Sequence, residues 1–478
     1  MDILTINNLI VAFETPQGEL TAVKGVSLSL AQGETLALVG ESGCGKTVLC
    51  KSMLKILCER GRIKEGEILL SGQDLVPFGE KEMVPYRGRD VAMIFQDPMS
   101  SLDPTMSVGR QIAEAAEGRA EDPKARALEL MRLVEIDHPQ QRYDQMPHHF
   151  SGGMRQRIAI AIALAGDPKI LLADEPTTSL DAGTQEQILK LLKKIDIATI
   201  FITHDLSLVE DIADRVAIMK DGNIVETGPV EQVFSRPQNP YTKKLLGYLD
   251  YGKGRGHSHK HSRQSFDSPL AEVRDLKKYF SLGRHAIHKA LDGFSLDIYK
   301  GEILGLVGPS GCGKSTLARC LMGIYEPTGG EIRFFNEKKS KNWRQMIFQD
   351  SDSAFNPRMT IGQIIGEPLR IAEGKQPEAE RIARLMEQVE LDPALMERHP
   401  YDVSGGQRQR AAIARAISVD PEFIVADEPI SSLDISTQAQ IVHLFRRLQE
   451  ERNLTILFIA HDLPMVNHIS DRIVEMGV

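Results

Sequence analysis

Val39-Gly40-Glu41-Ser42-Gly43-Cys44-Gly45-Lys46-Thr47 returns later in the chain as Val307-Gly308-Pro309-Ser310-Gly311-Cys312-Gly313-Lys314-Ser315. Each copy follows an apolar run, Thr35–Val39 or Ile303–Val307, and precedes a helical pattern. After Lys46 the apolar Leu49, Met53, Ile56 and Leu57 fall on one helix face. G-x-x-x-x-G-K-[ST] between a strand and a helix is a phosphate-binding loop. Its glycines let backbone N–H groups curl round a phosphate, and the helix N-terminus adds favourable partial charge. Lys46 and Lys314 are placed to reach the outer phosphate oxygens, and the hydroxyls of Thr47 and Ser315 to ligate Mg²⁺. With Val48 and Thr316 these loops make two candidate nucleotide sites.

Working outward, the whole order of motifs repeats. Met93-Ile94-Phe95-Gln96-Asp97 returns as Met346-Ile347-Phe348-Gln349-Asp350, and Ser151-Gly152-Gly153-Met154-Arg155-Gln156-Arg157 as Ser404-Gly405-Gly406-Gln407-Arg408-Gln409-Arg410. Ala173-Asp174-Glu175-Pro176 returns as Ala426-Asp427-Glu428-Pro429, and His204-Asp205 as His461-Asp462. The offset is 268 residues at the loop, 253 for the middle three pairs and 257 for the last. Five motifs in one order, twice, make a tandem duplication. The expected domains are residues 1–248 and 270–478, joined by a Gly- and His-rich linker, Leu249–Pro269, whose composition is that of a flexible coil. Its His257, His259 and His261 invite a metal reading, but a solvated linker explains them more simply.

The apolar stretches Ile170–Ala173 and Phe423–Ala426 read as buried strands that deliver Asp174 and Asp427 to a metal ion. Glu175 and Glu428, one residue on, are positioned to polarise an attacking water. Two further strands, Ala198–Thr203 and Thr455–Ala460, end at His204 and His461. Parallel sheets bind ligands at the carboxyl ends of their strands, so both imidazoles should face the terminal phosphate. The fold class is therefore α/β: two P-loop NTPase domains, each with a mixed β core and an inserted helical subdomain.

Composition narrows the function. In 478 residues, 57 Lys+Arg face 66 Asp+Glu for a net charge of −9, which argues against a broad nucleic-acid footprint. Five cysteines without paired spacing point to a reducing compartment. The longest apolar runs, such as Ile158–Ala165, fall far short of the roughly 20 residues of a membrane span. The start, Met1-Asp2-Ile3-Leu4-Thr5, has no signal-peptide pattern.

Ser-Gly-Gly-x-Arg-Gln-Arg ahead of Asp-Glu-Pro, with a P-loop upstream, resembles the nucleotide-binding domain of ATP-binding cassette (ABC) ATPases. The resemblance covers nearly all of the chain outside the linker. It implies that the two halves pair head to tail with two ATP molecules between them. Ser404, Gly405 and Gly406 would cover the nucleotide on Lys46, and Ser151, Gly152 and Gly153 the one on Lys314. It also implies that Gln96 and Gln349 touch Mg²⁺ and water, that Asp181 and Asp434 belong to the loop after the acidic pair, and that Phe13 and Phe280 stack on adenine. Met154 departs from the family's glutamine, which Gln407 keeps. Both halves retain lysine, acidic pair, signature and histidine, so two hydrolytic sites are expected.

A finer likeness lies in Phe95-Gln96-Asp97-Pro98-Met99-Ser100-Ser101-Leu102-Asp103-Pro104 and in Arg236–Leu246 with its Pro-Tyr-Thr. Ser353-Ala354-Phe355-Asn356-Pro357 echoes the first in the second copy. These resemble the peptide/nickel branch of importer ATPases, which implies a motor for di- or oligopeptides or for nickel and metal chelates. Such a chain would sit on the cytoplasmic face of the inner membrane with two integral-membrane permease subunits and an extracytoplasmic solute-binding protein. The segments Asp97–Phe150 and Asp350–Val403, 54 residues each, are the expected docking faces for the permeases. The second half runs 17 residues past His461, so either a role of the Pro-Tyr-Thr tail rests on the first half alone or the chain is naturally trimmed. The rival readings are an exporter's motor and a soluble tandem ABC ATPase of the translation-factor type. The second would carry a long charged helical arm between its domains; this linker is short and not helix-periodic.

Overall fold

The computed structural model describes residues 2–15, 18–97, 101–177, 180, 182–252, 268–281, 287–309, 311–336, 342–349, 354–430, 433–460 and 463–477. The chain divides into two compact units, Met1–Leu246 and Gly247–Val478. Helix Pro240–Gly252 extends regular structure into the stretch that composition assigns to the linker, and strand Pro269–Ser281 begins at its last residue. Most of the linker, with its three histidines, lies outside the described residues.

The first unit is built on a six-stranded sheet in the order Asn223–Pro229, Arg215–Lys220, Thr35–Val39, Ala198–Thr203, Ile170–Asp174, Val91–Ile94. All neighbours are parallel except the first pair. Its central strands are apolar along their whole length because helices cover both faces of such a sheet; every residue of Ile170–Asp174 and of Ala198–Thr203 is buried. Register then does the positioning. Val39 pairs with Thr203, Asp174 with Ile202 and Ile94 with Ala173, so the strands end together. Gly40, Glu175, His204 and Gln96 follow those ends and meet at one carboxyl edge, although they span more than 160 residues of sequence.

The second unit repeats this with five parallel strands in the order Arg344–Ile347, Phe423–Asp427, Thr455–Ile459, Ile303–Val307, Arg472–Glu475. Asp427 pairs with Ile459 and Ile347 with Ala426, which brings Glu428 and Gln349 to the edge beside Gly308. Each unit carries a second, antiparallel sheet: Gly18–Ala31, Asp2–Thr15, Gly61–Leu70 and Gln73–Asp74 in the first, Ile287–Tyr299, Pro269–Ser281 and Gly329–Phe334 in the second. These sheets back onto the P-loops. A Cβ on Gly45 would lie 2.6 Å from the Ala22 carbonyl oxygen, and one on Gly313 would lie 2.3 Å from that of Ala290.

The insert is helical in both units: Val108–Ala116 and Pro123–Leu133 in the first, Ile361–Glu373 and Ala379–Gln388 in the second. Local sequence sets their starts. Pro123 occupies the first helical position while the Asp122 carboxylate accepts from the N–H groups of Lys124 and Ala125. Thr360 and Gln363 close a reciprocal capping box. The inserts lead into the signature helices Gly152–Leu164 and Gly405–Ile417.

One expected element is shorter than its pattern. The helix after the first P-loop is Lys46–Met53, so Ile56 and Leu57 lie beyond it. Lys55 takes φ 52°, and the Ile56 N–H returns to the Lys51 carbonyl at 3.0 Å, a left-handed helix stop. Ile56 and Leu57 still pack on the core, which explains why they share the helix's apolar spacing.

Candidate functional site

Each P-loop curls because its glycines sit where other residues are strained. Gly43 and Gly45 have φ of 80° and 108°, Gly311 and Gly313 84° and 105°. Gly40 is needed for a close approach, since a Cβ there would stand 2.1 Å from the Met219 carbonyl oxygen; at Gly308 it would stand 2.5 Å from that of Met476. The loop lysine is buried and turned inward. Lys46 Nζ donates to the carbonyls of Gly40 (2.7 Å) and Glu41 (2.9 Å), and Lys314 Nζ to those of Gly308 (2.7 Å) and Pro309 (3.0 Å). The ammonium is thus held over the loop by neutral carbonyls, with no carboxylate among these partners. Cys44 packs beneath Lys46, and burial pushes its thiol up despite the nearby ammonium. Val48 and Thr316 lie in the first turns of the helices.

The metal-binding candidates come together. Thr47 Oγ1 donates to Asp174 Oδ1 at 3.0 Å, and Ser315 Oγ to Asp427 Oδ1 at 3.1 Å. Burial pushes both aspartates above the usual carboxylate range; the hydroxyl bond pulls the other way, and the neighbouring glutamate adds to the rise. A carboxylate buried beside a second one is a group that a cation would stabilise.

The glutamates sit in unusual backbone. Glu175 has φ 48° and Glu428 φ 47°, in the left-handed region, while their N–H groups continue the sheet ladder to Ile202 O (3.0 Å) and Ile459 O (2.9 Å). A non-glycine residue held in that region is locally strained, and here the strain turns the carboxylate off the strand end towards the glutamine. Gln96 Nε2 donates to Glu175 Oε2 at 2.9 Å, and Gln349 Nε2 to Glu428 Oε2 at 2.7 Å. His204 Nδ1 lies 3.3 Å from the same Glu175 oxygen. Burial works to lower the His204 pKa, but the hydrogen bond and charge of Glu175, with Asp205, outweigh it and hold the imidazole above its ordinary value.

The signature residues form a separate locus. Ser151 and Ser404 are helix N-caps, accepting from Met154 N (3.4 Å) and Gln407 N (3.3 Å). The second glycine of each signature is wedged: a Cβ on Gly153 would meet Thr184 Cγ2 at 2.4 Å, and one on Gly406 would meet Thr437 Cγ2 at 2.6 Å. The first glycine is open, with nothing within 4 Å of a Cβ on Gly152 and only Leu433 at 3.5 Å for Gly405. Asp434 is fully engaged as the N-cap of helix Ile435–Arg452, accepting from Ser436 Oγ, Thr437 N and Thr437 Oγ1. Phe13 packs on the core against Gly61, and Phe280 meets Tyr325 edge-on at 5.4 Å. Asp181, Ser310 and His461 lie outside the described residues.

Two residues quoted in the signature without a role turn out to brace it. Arg157 Nη1 donates to Val134 O (2.8 Å) and Glu135 (2.9 Å), and its Nη2 to Gln187 Oε1 (2.7 Å). Arg410 repeats this with Val389 O, Glu390 and Gln440. Each buried guanidinium ties the signature helix to the insert on one side and to the next core helix on the other. Their signal was an arginine at the same place in both copies, with a glutamine 30 residues on in each and a glutamate 22 residues back in the first and 20 in the second.

No described helix is long and apolar enough to cross a membrane. Among the described residues no cluster of three or more His, Cys, Asp or Glu forms a preassembled metal cage.

The family described as ABC transporter matches residues 23–178 and 291–431, one segment in each unit. The glutathione import ATP-binding protein GsiA of Salmonella paratyphi A is 41% identical over 99% of this chain and 85% of that protein. The peptidoglycan transport ATP-binding protein YejF of Agrobacterium fabrum is also 41% identical, over 99% of this chain and 91% of its own. Among solved structures, an RNase-L inhibitor superposes with a TM-score of 0.65 at 20% identity, covering 98% of this chain and 87% of that one, a likeness of fold.

Proposed function

The chain belongs to the ABC transporter family of ATP-binding proteins, and we propose that it is the ATP-hydrolysing motor of an importer for short peptides and peptide-like solutes. The observation that carries the chemistry is the glutamate at the carboxyl edge of each unit, with a glutamine amide on its carboxylate and a P-loop across one intervening strand. The cargo reading rests on the glutathione and peptidoglycan transport proteins, which align along both units.

On this reading the P-loop amides and the helix N-terminus grip the phosphates. Lys46 and Lys314 leave their carbonyl partners for the phosphate oxygens. Thr47, Asp174 and Gln96, and likewise Ser315, Asp427 and Gln349, would hold Mg²⁺; the raised aspartates and their hydroxyl neighbours fit a hard cation. When bound, the ion neutralises phosphate charge. Glu175 and Glu428 orient and polarise the water, His204 rests on the Glu175 carboxylate, and His204 and His461 are assigned to the terminal phosphate. Phe13 and Phe280 supply an aromatic surface for the adenine.

We assign Ser151–Gly153 and Ser404–Gly406 to the nucleotide carried by the opposite unit, with Asp181 and Asp434 beside them. The open Cα of Gly152 leaves room for that approach, and a capping serine that accepts one bond retains its O–H as a donor. ATP then clasps the halves, and hydrolysis releases them. The motion passes to two integral-membrane permease subunits docked on the helical inserts at the cytoplasmic face of the inner membrane, with a solute-binding protein outside.

Uptake of a labelled tripeptide in cells lacking this chain tests the reading. Restoration by the wild type, but not by Lys46→Ala/Lys314→Ala, supports it. Normal uptake without the chain, or a chain that sediments with ribosomes instead of membranes, would overturn it.

A further inference from the structure

Buried amide donors are almost always paired, yet the signature helices each bury one that is not. Gln156 is 2% exposed and Gln409 4%, and the Nε2 of each has no hydrogen-bond partner. Both units keep this arrangement, at matching positions of a duplicated motif. A buried N–H without an acceptor destabilises the conformation that contains it, and a leucine or methionine would fill the same space without that cost.

Their placement narrows the explanation. Gln156 and Gln409 lie one helical turn beyond Gly153 and Gly406, which are wedged against Thr184 and Thr437 at the start of the next core helix. On the signature helix of the second unit, Gln409 is followed at three and seven residues by Ala412 and Ala416. Those two line a cavity of about 300 Å³ with Gln345, Met346 and Phe348, the strand that leads into Gln349. In the second unit the orphan donor thus lies, along the helix, between Gly406 at the signature turn and the alanines that line this cavity.

We propose that Gln156 and Gln409 are positioning residues for hydrolysis, whose side-chain N–H groups gain an oxygen acceptor only in the conformation in which the signature turn grips a nucleotide. The unsatisfied donor disfavours the present conformation, and the new bond favours the gripping one, so the pair biases the chain towards hydrolysis once ATP arrives. This rests on the functional reading above.

The test uses the full chain with Mg-ATP and the variants Gln156→Leu, Gln409→Leu and the double variant, with Gln→Met at each position where the leucine branch fails to pack. Two quantities are measured: Tm without nucleotide and steady-state kcat and KM. The expected result is a Tm without nucleotide equal to or a few degrees above wild type, together with a kcat about tenfold lower and a KM changed less than twofold. A kcat within twofold of wild type overturns the inference whatever the Tm does. A Tm that falls by several degrees overturns it too, since the amide then has a partner in the resting protein. If the wild-type chain itself hydrolyses no ATP, the functional reading fails first; if it is active and the variants match it, only this inference falls.

Discussion

The signature turns of the two units solve the same problem with different side chains. In the second, Gln407 Oε1 accepts from the Ser404 N–H at 2.9 Å while Ser404 Oγ accepts from Gln407 N, a complete capping box. In the first, Met154 stands in that place and offers the Ser151 N–H no such acceptor. Its thioether is instead met by Arg142 Nη1 at 3.0 Å, and Arg142 also lies over the Phe150 ring. The second unit has Leu395 at the position of Arg142. One turn is therefore fixed by reciprocal hydrogen bonds and the other by a cation resting on sulfur and an aromatic face. Yet the wedged glycine, the bracing arginine and the unpaired glutamine are the same in both. The difference is confined to the first turn, so it bears on how firmly that turn is set, while the hydroxyl–aspartate and glutamine–glutamate pairs beside each P-loop are alike.

The sharpest way to break that likeness is at the glutamates. Glu175→Gln and Glu428→Gln keep the size of the side chain and remove the carboxylate proposed as base, and general-base groups typically contribute about 10²–10⁴-fold. With two equivalent hydrolytic sites, each single variant loses most of the steady-state rate and both lose it to a similar extent. If one substitution leaves the rate unchanged, that site is not hydrolytic and the halves are unequal where the geometry makes them equal.

Next in size are the signature glycines. Gly153→Ala places a methyl 2.4 Å from Thr184 Cγ2, and Gly406→Ala places one 2.6 Å from Thr437 Cγ2. Overpacking of this kind costs about 1–3 kcal/mol, read as a fall in Tm of several degrees. Gly152→Ala meets nothing within 4 Å and leaves Tm unchanged or raised. Combining Gly153→Ala with Thr184→Ser removes the clashing methyl and restores most of the loss. A double variant no more stable than Gly153→Ala would show that the contact is not the cause.

Smaller still is the cap itself. Met154→Gln completes the box in the first unit and is expected to stabilise it by about 0.5 kcal/mol, while Gln407→Met removes the box from the second and costs a similar amount. Differential scanning calorimetry of both variants checks the pair. Equal and opposite shifts support the cap; a destabilising Met154→Gln would show that the contact of Arg142 with sulfur matters more.

Which of these features the sequence disclosed follows from how they are encoded. The P-loops, the buried strands and the acidic pairs are contiguous, and their spacing within an apolar run carries the information. That Asp174, Glu175 and His204 would meet was legible as well, since parallel strands of similar length end at one edge, whereas Gln96 came only from the family resemblance. The left-handed backbone of Glu175 and Glu428 was not, because nothing in Ala-Asp-Glu-Pro specifies the sign of φ. Nor was the stop at Met53: the apolar spacing runs on to Leu57 while the chain has already turned at Lys55. The burial of Gln156 and Gln409 was hidden for a different reason. Polar residues in a motif invite a ligand reading, and only packing shows that these two face inward without a partner.

The least of the expected effects tests whether the histidines are as alike as the glutamates. His204 faces Glu175 and Asp205, with Lys46 opposing them, and its folded pKa is raised above the ordinary value of 6.5. A group whose pKa rises on folding stabilises the fold fully below its unfolded pKa and loses that contribution as pH climbs through the folded value. The stability difference between wild type and His204→Asn should therefore be largest below about pH 6.5 and shrink as pH rises above it. The same measurement on His461→Asn asks whether the second imidazole is held by Glu428 in the same way. A matching decline extends the likeness of the two sites to their histidines. A flat profile for His461→Asn would leave the first unit alone in holding its histidine pKa up through the glutamate, and would make that contact the point where the two halves part.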